Sequence, residues 1–226
     1  MAKPLFDQDA LISAFQNATA RQSAQLRKTV QDATLAALQG REMTLKNVRS
    51  ALKSVAEAAS VGASRNANPG IDPEAMLDKA VAGMDDALLK AVDAHRAALA
   101  QLAAHGADLR DKHMKKALDD LEHFEDSMFA ALKKAAAGAG APLGEAWSQV
   151  MQKMQAGGTA SGAQAAATAE QMIDQMQSAV RTGRAAGLRA AQALAESYSA
   201  MVSGVLIGMS QAVQDAAPAR KSSKAR

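Results

Sequence analysis

Apolar residues recur at steps of three and four over most of this chain, so the pattern predicts helix throughout. The clearest case is Leu45, Val48, Leu52, Val55 and Ala59, a heptad seam. Ahead of it, Leu11, Phe15, Leu26 and Val30 hold a looser stripe with polar Gln22 inside it. No proline interrupts this region, and Gly40 is its one weak point. A first helix is therefore predicted from Asp7 or Asp9 to Val61, spanning roughly 80 Å at about 1.5 Å per residue.

Residues 62–72 (GASRNANPGID) break the pattern with turn chemistry. Asp72, Pro73 and Glu74 then read as N-cap, first helical position and first-turn acid. A second helix is predicted from there to about Ala137, with a stripe that includes Leu77, Val81, Met84, Leu88, Leu99, Leu121, Phe124, Met128 and Leu132. The short connection makes the two helices antiparallel neighbours. Gly138 to Pro142 is a second break. A short helix carrying Trp147, Val150, Met151 and Met154 follows, and Gly157–Gly162 reads as a flexible linker by composition. A last helix is predicted over 163–214. The predicted class is all-α: a long antiparallel helical hairpin or extended helical bundle over 1–138, a short helix and linker over 139–162, a C-terminal helix over 163–214, and a disordered basic tail over 215–226.

Composition sharpens this picture. Alanine supplies 56 of 226 residues and only six are aromatic. Alanine is the best helix former but buries little area, so long helices and a thin core are expected. Cysteine is absent, which excludes disulfides and thiolate metal sites and suits a reducing cytoplasm. The first residues lack the apolar run of a signal peptide. The net charge of +3 is uneven. Residues 72–138 are acidic overall, while Arg220, Lys221, Lys224 and Arg226 crowd the last eleven residues. Such a tail attracts nucleic acid or another anionic surface weakly, by counterion release.

Candidate chemistry is sparse. His95, His105, His113 and His123 are spaced too widely for two to share a helical turn. Asp119, Asp120 and His123 form one arm of a helical carboxylate–histidine site, without a matching second arm. The Gly157–Gly162 spacing lacks the lysine and the strand of a phosphate loop. No catalytic, cofactor-binding or metal-binding residue is therefore assigned. The most hydrophobic stretch, Tyr198–Val213, holds Val205, Leu206, Ile207 and Met209. At 16 residues it is shorter than the roughly 20 a membrane span needs, so it reads as a packing contact or as a helix lying on an apolar phase. The chain is not expected to be transmembrane.

Several features together resemble the phasins, the helical proteins that coat polyhydroxyalkanoate storage granules in bacteria. They are the alanine- and glutamine-rich helices, the methionine and leucine stripes, the absence of cysteine, the stretch Thr168–Val180 and the ending AAPARKSSKAR. The resemblance is spread over most of the chain and rests on style, without a single diagnostic motif. It implies a non-enzymatic cytoplasmic protein at the storage-granule surface that self-associates as a homo-oligomer and adsorbs to a hydrophobic polyester. The residues themselves imply a broader version: narrow apolar stripes need a partner, whether one another, a second copy or an apolar surface. The residues expected to pack helices or meet that surface are Leu45, Val48, Leu52, Val55, Leu121, Phe124, Met128, Val205, Leu206, Ile207 and Met209. The alternative is a coiled-coil scaffold that binds protein partners, or nucleoid DNA through its basic tail.

Overall fold

The computed structural model describes residues 6–19, 23–39, 44–68, 70–104 and 112–181. The chain there is all-α, with no strand among the described residues. Among the described residues eight helical segments follow in order: α1 (Gln8–Gln16), α2 (Ser23–Leu38), α3 (Leu45–Ser64), α4 (Pro73–Ala104), α5 (Lys112–Glu122), α6 (Phe124–Gly138), α7 (Ala141–Gly157) and α8 (Ala160–Arg181).

Three of the helix starts follow local chemistry. The Asp7 carboxylate accepts from the Ala10 N–H at 2.9 Å and caps α1, and the Thr44 hydroxyl accepts from the Asn47 N–H at 3.3 Å and caps α3. At α4 the expected cap is present: Asp72 accepts from the Glu74 N–H at 3.1 Å, ahead of Pro73.

The helix lengths do not follow the pattern. The predicted first helix is three helices, and the predicted second is interrupted at His123. α1 ends at Asn17, whose backbone and side-chain amides both donate to the Ser13 carbonyl, at 3.0 and 2.9 Å. α5 and α6 are separated by His123 alone, at φ −95° and ψ 12°. The reason is a contest of magnitudes. Helix propensities differ by at most about 1 kcal/mol per ordinary residue, whereas a buried Leu or Phe contributes about 1.5–3 kcal/mol. Breaking the rod lets α1 fold onto α3 and α2 onto α4, which buries Leu11, Phe15, Leu26, Val30, Leu35 and Leu38. The His123 bend turns α5 toward α8 and α6 toward α3.

The expected thin core is corrected as well. One continuous apolar cluster runs through all eight helices. Alanine is its commonest residue, and small side chains make it close rather than thin. A Cβ on Gly62 would lie 2.5 Å from the Ile12 carbonyl oxygen, and one on Gly83 would lie 2.4 Å from that of Arg27. Helix backbones thus approach to a distance only glycine permits, and Trp147, Phe15, Met84 and several leucines fill the wider parts.

Polar contacts set the register. Arg27 on α2 makes a bidentate pair with Asp86 on α4, at 2.5 and 2.6 Å. Arg49 on α3 donates to Ser127 on α6 at 3.2 Å. Lys153 on α7 pairs with both Glu74 and Asp78 on α4. In the turn after α3, the Asn66 side-chain amide donates to the carbonyls of Phe15 and Ala18, at 2.8 and 3.2 Å, which ties that turn to the end of α1.

Candidate functional site

The sequence-selected seam residues face inward. Val48, Leu52 and Val55 on α3 and Phe124 and Met128 on α6 are buried, and these two helices pack on each other. Leu121, before the His123 bend, is buried on α5; Leu45 is half-buried at the start of α3. Val205, Leu206, Ile207 and Met209, together with Arg220, Lys221, Lys224 and Arg226, lie outside the described residues. Among the described residues the exposed large apolar side chain is Val61, at 37 %. The closed bundle therefore turns its apolar stripes toward one another. The polar sides of the same helices meet water.

Carboxylates and a histidine gather in one place at the end of α5. Donor atoms of Asp119, Glu122 and His123 lie within 4.8 Å of one another, all three side chains exposed. Of the two aspartates in the arm read from the sequence, Asp119 is in this cluster and Asp120 pairs instead with Lys116 at 2.7 Å. The His123 Nδ1 also sits 3.0 Å from the Asp119 carbonyl oxygen. A divalent cation could take these three donors only as a weakly held surface ion. His95, by contrast, is buried within α4.

The most constructed polar arrangement surrounds the start of α8, in the stretch that composition presents as a flexible linker. α7 ends at Gly157, and Gly158 turns the chain at φ +68°, a conformation that favours glycine. Glu125 on α6 accepts from both the backbone N–H and the hydroxyl of Thr159, at 2.8 and 2.9 Å. Asp85 on α4 accepts from the Ala160 and Ser161 N–H groups, each at 3.0 Å. The Thr159 hydroxyl oxygen accepts from the Gly162 N–H at 3.0 Å. Carboxylates from two other helices thus occupy the positive end of α8, where orphan amides and the helix dipole favour negative charge. The sequence shows no sign of this junction, because Glu125 and Asp85 stand 34 and 75 residues from the groups they meet.

Among the described residues, open cavities lie elsewhere. One, of about 300 Å³, is lined by Leu26, Ile71, Met76 and Lys79 among others. The second, of about 280 Å³, lies between α3 and α6 beside Ser60, Val61 and Gly138. Both are at or below the small end of the size range of ligand sites, roughly 300–1,000 Å³.

Fold and surface together define an all-α bundle closed over alanine-rich seams, and no helix of the described residues is long and apolar enough to cross a membrane. The chain belongs to the DUF6781 family, a family of unknown function, which it matches over residues 1–215. No curated protein and no solved structure matches it.

Proposed function

We propose that this is a non-enzymatic, phasin-like protein that adsorbs to polyhydroxyalkanoate or another apolar surface by opening its bundle. The observation that supports the reading is the inward-facing set of narrow stripes rich in alanine, leucine and methionine. Opening such a bundle in water exposes those stripes. Opening it against an apolar phase keeps them out of water, so one burial replaces another. Each helix retains its own backbone hydrogen bonds, and its charged side stays in water, as in any interfacial amphipathic helix. Small side chains lower the cost of separation further, since each alanine gives up little packed area. The bundle is the stored form on this reading, and the opened helices are the adsorbed form.

The experiment is partition of the purified protein onto polyester particles or oil droplets, with circular dichroism and Trp147 emission recorded on the bound fraction. The expected result is binding with helicity retained and the emission of Trp147 changed, because its buried contact with Ser60 opens. A protein that stays in the aqueous phase with unchanged emission would remove the reading. Salt-sensitive binding to DNA in its place would favour the scaffold alternative.

A further inference from the structure

The contact face of α8 differs from the other seams. Among its residues of described burial, Ser161, Gly162, Ala165, Thr168, Ala169, Met172 and Met176 are buried, so through residue 169 no fully buried side chain is larger than threonine. Two of these carry a further cost. The Ser161 and Thr168 hydroxyl oxygens are buried without a hydrogen-bond partner. Elsewhere in the core, buried hydroxyls are satisfied by the carbonyl one turn back: Thr34 donates to Val30 at 2.8 Å, Ser60 to Ala56 at 2.8 Å and Ser127 to His123 at 2.8 Å. α8 thus combines little buried apolar area in its first half with two unpaired polar groups, each of which favours release to water. Its first turn is the opposite. There Asp85 and Glu125 take the Thr159, Ala160 and Ser161 amides and the Thr159 hydroxyl. Gly162 is seated so closely on Glu125 that a Cβ would lie 2.6 Å from its carboxyl carbon.

We infer that α8 is the detachable element of the bundle, latched at its first turn by Asp85 and Glu125 and only weakly held along its seam. Release of the latch frees the Ala165, Ala169, Met172 and Met176 stripe and uncovers the faces of α4 and α5 that α8 packs against. The partner this stripe fits is an apolar surface without hydrogen-bonding demands, since methionine adapts to irregular contacts and the alanines allow close approach. This choice of partner rests on the adsorption reading above; the latch itself does not.

The geometry gives two variants opposite effects. Asp85→Ala with Glu125→Ala removes the latch. Ser161→Ala with Thr168→Val removes the unpaired hydroxyls while keeping shape, so it tightens the seam. Amide hydrogen exchange of residues 163–178, compared with α3 and α4 in the same protein, reports detachment without any surface present. The expected result is exchange faster by on the order of tenfold in the first variant and slower by on the order of tenfold in the second, with α3 and α4 altered less. If α8 exchanges in step with α3 and α4 in all three proteins, it opens only by global unfolding and the inference is overturned. The same result follows if the hydroxyl-free variant exchanges no more slowly than the parent. Particle binding is then measured separately. A latch that behaves as expected in a protein that never binds particles leaves the inference standing and removes the adsorption reading.

Discussion

The indole N–H of Trp147 donates to the Ser60 hydroxyl oxygen across 3.0 Å, although the two residues lie 87 positions apart. Ser60 in turn donates to the Ala56 carbonyl at 2.8 Å, so a buried relay fastens α7 to α3. Both side chains are shut off from solvent. Ser60→Ala leaves the indole N–H unpaired in the core, which costs about 1–3 kcal/mol. Thermal unfolding followed by emission from Trp147, the chain's single tryptophan, measures this directly. A melting point equal to that of the parent would show that the indole finds another partner.

Glycine substitutions are expected to split by sign. Gly83→Ala drives a Cβ to 2.4 Å from the Arg27 carbonyl oxygen and 2.9 Å from the Val30 Cβ, so α2 must move away from α4. Overpacking of this kind costs about 1–3 kcal/mol. Gly144→Ala, in α7, meets nothing within 4 Å. It gains helix propensity and stabilises by about 0.5–1 kcal/mol. Urea unfolding of the two variants should move the midpoint in opposite directions.

The seam on α3 should behave as core and its neighbour as surface. Leu52 is fully buried, and Leu52→Ala is expected to cost about 2–5 kcal/mol in chemical unfolding. Val61→Ala, at an exposed position on the same helix, should fall within about 0.5 kcal/mol of the parent. Equal losses at both positions would mean that Val61 is covered in solution, for instance by a second copy.

The α7–α4 clamp has a defined pH window. Hydrogen bonds that it donates to Glu74 and then to Asp78 raise the Lys153 ammonium above the ordinary lysine value of 10.5. A cation whose folded pKa is raised contributes stability fully below its unfolded pKa and loses it as pH climbs through the folded one. The contribution of the Lys153 proton should therefore be flat from neutral pH to about pH 9 and fade only in stronger alkali. It is also small, because the side chain is exposed and solvent screens the pair. The check is the melting-point difference between the parent and Lys153→Met at several pH values. A difference that shrinks between about pH 7 and pH 9 would contradict this assignment.

Much of the local architecture was legible in the residues. Three-and-four spacing identified the helical class, and Asp72–Pro73–Glu74 marked the start of α4 because a cap is a contact within one turn. The seam residues Val48, Leu52, Val55, Phe124 and Met128 were picked out by periodicity and are buried. The break at Asn17 and the bend at His123 were missed, since nothing in a helical pattern says where a rod must fold back on itself. The Gly157–Gly162 stretch misled for a related reason. Composition shows a flexible chain, while the order there comes from Asp85 and Glu125 on distant helices.

Local and long-range chemistry thus divide this molecule cleanly. Helicity, the starts of α1, α3 and α4 and the periodicity of each stripe follow from interactions within a turn or two, which any stretch of chain carries with it. Helix length, partner and close approach follow from burial shared between segments far apart, where a few kilocalories from Phe15, Leu38 or Trp147 outweigh alanine's preference for a continuous rod. Gly62 and Gly83 show the same division: alone they are weak helix residues, and their role as contact points exists only once Ile12 and Arg27 are packed against them.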